Sequence, residues 1–118
     1  MKPKGREYTC GLEAALEFTG GKWKVLALWN LAQGPRRFGE LRRLIPGVSE
    51  KMLIQTLREM ENHGIVIRKD YQEVPPRVDY SLTTFGKSLV EALRPLCEWG
   101  KKNMNRITKT VAELDGSD

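Results

Sequence analysis

Apolar positions return along this chain at two periods. Leu12, Ala15, Leu16 and Phe18 recur at helical spacing, with Thr9 placed to cap that helix at Cys10 and Gly20-Gly21 to stop it. From Lys22 to Ala32, Val25, Leu26, Leu28 and Trp29 fill most of the circumference, which predicts a deeply buried helix ended by Gly34-Pro35. Arg36-Arg37-Phe38 reads as a short extended piece. Residues 40–45 read as a short helix, with Phe38, Leu41, Leu44 and Ile45 turned inward. After the Pro46-Gly47 break, Ser49 is a good N-cap with acidic Glu50 behind it, and Val48 and Leu53 stand at hydrophobic-staple spacing. That helix runs to His63 and stops at Gly64.

The period then changes. Residues 65–69 are strand-like, and Arg77 to Leu82 alternate, with Val78, Tyr80 and Leu82 on one face and Arg77, Asp79 and Ser81 on the other. Pro75-Pro76 exclude a strand between them, so the pair reads as a β-hairpin with a proline tip. Thr83 caps a last long helix carrying the stripe Leu89, Leu93 and Leu96, with Trp99 beside it and Pro95 expected to kink or break it. Residues 103–111 continue helical. The expected layout is a basic flexible arm over 1–8, one domain over 9–112 and a frayed tail over 113–118.

Short helix, tight turn, helix and hairpin form the sequence of a helix-turn-helix followed by a wing. The fold class is mainly α with a small β-hairpin. On a helical wheel Leu53, Thr56, Leu57 and Met60 share one face of the second helix of that unit. The opposite face holds Lys51, Gln55, Arg58 and Asn62, two cations and two amides with no carboxylate in the stripe. These groups suit a major groove, since Arg and Lys donate to guanine and Gln or Asn pairs with adenine. A plain solvated face has a similar make-up, but the neighbouring turn and hairpin favour duplex DNA. The candidate contact set is Ser49, Lys51, Met52, Gln55 and Arg58, with Arg37, Arg68 and Arg77 flanking it. Of the arginines at 36, 37, 42 and 43, some would touch phosphates and some would pair with Glu40. Lys69 serves equally as a DNA cation or as an edge-strand charge against aggregation.

Charge agrees with an anionic partner. The chain has 118 residues with 20 Lys+Arg against 15 Asp+Glu, and the cationic excess lies before residue 78. This length excludes a large multidomain enzyme. No apolar run is long enough to span a membrane, and no apolar leader follows Met1 to Arg6, so the cytoplasm is the expected location. Cys10, Cys97 and His63 show no zinc spacing, and no phosphate-loop, nucleophile-elbow or zincin motif is present. No metal, cofactor or enzymatic activity is expected. Two readings fit Cys10: a small buried hydrophobe, or a thiol made reactive by a helix N-terminus. Cys97, among Leu93, Leu96 and Trp99, reads as packing, and His63 as a helix C-terminal residue interacting with the dipole.

Several stretches together resemble the HxlR-type family of bacterial winged-helix regulators, close in architecture to MarR proteins. They are Cys10 with Leu12, Gly20-Gly21-Lys22-Trp23, Arg37-Phe38-Gly39-Glu40-Leu41, Ser49-Glu50-Lys51-Met52-Leu53, Leu57-Arg58-Glu59-Met60-Glu61, Pro75 to Thr83, and Cys97-Glu98-Trp99. Gly11 departs from the proline common in the family. The resemblance implies a homodimeric transcription regulator on a pseudo-palindromic operator, joined through its terminal helices. Leu12, Leu16, Leu89, Leu93, Leu96 and Trp99 are then candidate dimer contacts, with intramolecular core as the competing role. It also implies control by thiol modification at Cys10 or by a small ligand. The rival function is a winged-helix module that binds protein and not DNA.

Overall fold

The computed structural model describes residues 7–116. Residues 1–6 of the expected basic arm and 117–118 of the expected tail lie outside the described residues. The chain falls into two compact units, Met1–Lys87 and Ser88–Asp118.

The first unit contains α1 (Gly11–Thr19), α2 (Lys22–Leu31), β1 (Arg36–Arg37), α3 (Phe38–Leu44), α4 (Glu50–Asn62), β2 (Val66–Asp70) and β3 (Val78–Leu82). It ends in the first turn of α5 (Thr84–Lys102). The sheet has three antiparallel strands in the order β1-β3-β2, not the two of the expected hairpin. The added strand is two residues long, Arg36 opposite Tyr80 and Arg37 opposite Asp79, too short to show any alternation. On the other side of β3, Val66 pairs with Leu82 and Lys69 with Asp79.

The core of this unit is built from Ala27, Leu28 and Leu31 of α2, Leu41 and Ile45 around α3, Val48, and Leu53, Leu57 and Met60 of α4. Ile65 and Val66, at the start of β2, are buried with them. The inner wheel face of α4, Leu53, Thr56, Leu57 and Met60, is buried as its spacing predicts. Val48 and Leu53, the staple pair, are both buried. α2 differs from expectation: Val25, Leu26 and Trp29 are only half-buried, and its buried residues are Lys24, Ala27, Leu28 and Leu31. Hydrophobicity all round a helix names no inward side, and a paired lysine takes one inward place. Leu44, expected inward, is exposed at the last turn of α3, while the next residue, Ile45, is buried.

α1 begins one residue later than predicted. Cys10 and not Thr9 is its N-cap, and the Glu13 carboxylate accepts the Thr9 backbone N–H at 2.9 Å. Thr83 does cap α5: its Oγ1 accepts the Gly86 N–H at 2.9 Å and donates to the Gly64 carbonyl at 2.6 Å.

The second unit comprises the rest of α5 and α6 (Met104–Leu114). Pro95 lies inside α5 without ending it. A proline removes one backbone donor, and a long helix retains its other turns. The chain leaves helical geometry at Asn103 (φ −107°, ψ 13°) and resumes at Met104. α6 then reaches Leu114, beyond the expected start of fraying at 113.

Candidate nucleic-acid interface

The interface is built outward from one turn. Pro46 follows Ile45, the C-cap of α3, and Gly47 takes φ +83°, a left-handed conformation that glycine accepts without strain. Ser49 then caps α4, its Oγ accepting the Met52 N–H at 3.1 Å. With the helix start fixed and one face buried, the opposite face must point outward. Lys51, Gln55, Arg58 and Asn62 are all exposed there, as are Ser49 and Met52. Lys51, Gln55, Arg58 and Asn62 line one open surface together with Glu50, Ile54 and Glu59. Lys51 and Arg58 make no ion pair among the described residues.

The two carboxylates on this surface are each held by a cation from another helix. Arg42 of α3 reaches Glu50 at 3.6 Å, and Lys24 of α2 reaches Glu59 at 2.7 Å. The hydrogen bond from Lys24 lowers the pKa of Glu59, keeping it ionised and paired. The wheel finds these carboxylates at the edges of the stripe, but not the partners, which come from distant segments.

The wing carries a second cluster. Asp79, on the strand face opposite Val78, Tyr80 and Leu82, is buried. Its Oδ2 receives Arg77 Nη2 at 3.2 Å, and Arg37 Nε stands 3.9 Å from its Oδ1. A carboxylate can lie in the sheet because two guanidinium groups compensate its charge. The Asp79 hydrogen bond holds the Arg77 pKa above its ordinary value. Tyr71 adds a ring to which Arg77 (4.3 Å to the centroid) and Lys69 (4.7 Å) both stack. Three chain-distant cations thus share one aromatic and one carboxylate. Arg68 is exposed and has no carboxylate partner among the described residues. The expected pairing of Glu40 is present: it lies 3.9 Å from Arg36 Nη1, and its Oε1 accepts the Arg37 backbone N–H at 3.0 Å. The sequence reading gives Lys24, Asp79 and Tyr71 no part in shaping the site; the two-residue spacings Arg77 to Asp79 and Lys69 to Tyr71 are local signals that could have found two of them, whereas nothing local marks Lys24.

A capped helix with a cationic-amide outer face, set beside a cation-bearing β-wing, is the arrangement of a winged helix-turn-helix. The sequence profile of the HxlR-like helix-turn-helix family matches residues 18–108. The chain belongs to that family. It is 53% identical over 95 residues to the HTH-type transcriptional regulator YkvN of Bacillus subtilis (strain 168), covering 80% of each chain. It is 52% identical over 95 residues to an HTH-type transcriptional regulator of Methanothermobacter thermautotrophicus, covering 80% of this chain and 72% of that one. The redox regulator HypR in its reduced form superposes with a TM-score of 0.80 at 40% identity, covering 85% of this chain and 99% of the other. Its oxidised form gives 0.75 at 44%, covering 80% and 97%. These relatives are regulators and not enzymes, and this HxlR-like chain is a transcriptional regulator with a helix-turn-helix fold.

Two further features of the HxlR-like chain lie outside the α4 face. Cys10 is exposed, so it is not a buried packing residue within the chain. The backbone N–H groups of Glu13 and Leu12, at the start of α1, stabilise its thiolate, and the Thr9 side chain adds to them; together they lower the thiol pKa. Cys97 is half-exposed and does not pack as fully as expected. His63 ends α4 as its C-cap, but its ring also stacks on Phe18 of α1, 4.4 Å between centroids and 12° between planes. Phe85 meets Phe18 edge-on at 5.8 Å.

The apolar stripes are only partly covered within the chain. Leu12 and Leu16 are 71% and 57% exposed on α1, and Leu96 and Trp99 are 63% and 58% exposed on α5. Leu89 and Leu93 are half-buried. Met104, Val111 and Leu114 add exposed apolar surface on α6. No helix among the described residues is long and apolar enough to cross a membrane.

Proposed function

We propose that the protein is a homodimeric, sequence-specific duplex-DNA-binding regulator that reads its operator with α4. The observation that carries this reading is the outer face of α4, where Lys51, Gln55 and Arg58 are exposed and free of carboxylate partners among the described residues. Ser49 and Met52 complete that face at the helix start. In this reading Arg58 and Gln55 contact base edges in the major groove, and Lys51 contacts phosphate. Arg37, Arg68 and Arg77 extend the contact along the backbone from the wing side. A protein-binding module would not need so cationic an outer stripe.

The proposed dimer uses the stripes left exposed on the terminal helices, Leu12 and Leu16 of α1 and Leu96 and Trp99 of α5, flanked by Leu89 and Leu93. Exposed apolar patches of this kind mark association surfaces. A dimer would place its two α4 helices on half-sites about 10 bp apart, giving a pseudo-palindromic operator. The exposure and lowered pKa of Cys10 support control by thiol modification, as does the likeness to a redox regulator; a small ligand is the alternative means of control. The cytoplasm is the compartment where such a regulator meets its operator.

The deciding experiment is selection of bound genomic fragments by the purified protein, followed by titration of the recovered duplex. Replacing Lys51, Gln55 and Arg58 with Ala should abolish preference for that duplex, each base contact being worth about 1–3 kcal/mol. Wild-type affinity should also fall steeply with salt, because phosphate contacts release counterions. A folded triple variant that binds the selected duplex as tightly as wild type would refute the proposal.

A further inference from the structure

Lys24 occupies a position where the sequence predicts an apolar helix wall. It is 8% exposed, and its Nζ lies 2.7 Å from Glu59 Oε1 and 3.4 Å from the backbone carbonyl oxygen of Glu17 in α1. Burying an ammonium carries a desolvation cost, and an apolar side chain of similar size would pack there without it. Stability alone therefore does not call for a lysine at this place. Its partner explains more. Glu59 follows Arg58 on α4 and lines the same open surface as Lys51, Gln55 and Arg58. Its carboxylate is half-exposed at 47%, so it reaches the surface that the proposed function turns toward phosphates. A free carboxylate there would repel the duplex and would also compete for the Arg58 guanidinium. Glu50, the other carboxylate on this surface, is held in the same manner by Arg42.

We propose that Lys24 is a positioning residue for DNA binding: it holds the Glu59 carboxylate to the α2 side of α4 and so keeps the DNA-facing surface free of unpaired negative charge. The bond to the Glu17 carbonyl fixes the ammonium between α1 and α4, so the carboxylate is held at a set place and not merely neutralised by a mobile cation. The inference rests on the reading of α4 as the DNA-contacting helix.

The test titrates a duplex recovered by selection from a random-sequence library with Lys24→Met, Glu59→Gln, the double variant and Arg58→Ala, each checked for folding by circular dichroism. Lys24→Met keeps the aliphatic bulk and releases the carboxylate, so affinity should fall about tenfold, or about 1.4 kcal/mol. Glu59→Gln should bind about as wild type, and the double variant should recover to within about threefold of it. Packing damage at Lys24 would not be repaired by removing a surface carboxylate, so the recovery separates positioning from structure. Wild-type affinity in folded Lys24→Met, or a double variant as weak as Lys24→Met, would overturn the inference. If Lys24→Met does not fold, Glu59→Asp decides: its shorter carboxylate cannot reach Lys24, and binding weaker than that of Glu59→Gln supports the proposal, while equal binding overturns it. Arg58→Ala separates the two levels. If it loses binding while Lys24→Met does not, only this inference fails; if it binds as wild type, the DNA-binding reading of α4 fails with it.

Discussion

A single methyl group at Gly86 should unsettle the junction where the sheet meets α5. Gly86 lies in the first turn of α5, where alanine is ordinarily better than glycine by about 1 kcal/mol. A Cβ built there would stand 2.3 Å from the Ile65 carbonyl oxygen and 3.2 Å from both the Ile65 carbonyl carbon and Cγ2. Neither side can easily give way. Ile65 is fully buried, and its carbonyl accepts the Thr83 backbone N–H at 2.9 Å. Overpacking of this kind costs about 1–3 kcal/mol. Drawing Thr83 away from Ile65 adds about 1 kcal/mol for a lost hydrogen bond. Set against the helix gain, Gly86→Ala should destabilise by about 1–3 kcal/mol, lowering Tm by about 4–12 °C for a chain of this size. Thermal unfolding followed by circular dichroism reads this directly, at fixed protein concentration because association shifts Tm. Gly100 supplies the control within the same helix: nothing lies within 4 Å of its Cβ position, so Gly100→Ala should raise Tm. A Gly86→Ala protein with Tm equal to or above wild type would refute the steric argument.

Asp79→Ala should lower stability by about 1.5–3 kcal/mol, the worth of hydrogen bonds to charged groups, and not more, because Arg37 and Arg77 are exposed enough to turn to water; the same variant should change duplex affinity, because the two guanidinium groups lose the carboxylate that sets their position and offsets their charge, and titration against selected DNA will show it. Leu96→Asp should leave the fold intact, because the side chain is largely exposed within the chain, yet convert a dimer to monomer; light scattering at micromolar concentration checks this, and an unchanged mass counts against the stripe as interface. Cys10 should react with iodoacetamide faster than Cys97 near pH 7. Its lowered pKa means that thiolate and reactivity are present above that folded-state value and are lost as pH falls through it, so mass-spectrometric rates across pH should show a midpoint below that of an ordinary thiol. Equal rates at the two cysteines would remove the argument from the helix start.

What the sequence shows well is what depends on near neighbours. The α4 cap, its buried face and its outer stripe are all set by residues of one helix and its cap, and a wheel places them correctly. The wing is also legible, because alternation and two prolines are local signals. β1 is legible only as an extended piece: two residues cannot show a period, and their place in the sheet comes from Tyr80 and Asp79 across it. α2 fails for the opposite reason. Its apolar residues surround the helix, so the pattern holds no direction, and the inward side is decided by what α4 brings to it.

The same division runs through the interface. The cations that would meet DNA can be named from the chain, but the groups that govern them cannot. Lys24 and Glu59 are 35 positions apart, and Arg37 and Asp79 are 42 apart. In each pair one member is buried and the other reaches the surface. A charged residue on a strand or helix gives no sign of burial until its partner is known, so neither Lys24 nor Asp79 stands out in the sequence. Burial of a charge requires a nearby counter-charge, and here those counter-charges come from the proposed contact elements themselves. The arrangement has a physical consequence: each buried partner acts on a surface group, removing a repulsive carboxylate in one case and holding two guanidinium groups in the other. The electrostatics that DNA would meet are therefore set partly beneath the surface, by residues that never touch it. Substitutions at Asp79 should consequently change duplex affinity and stability together, whereas substitutions at Lys51 and Arg58 should change affinity alone.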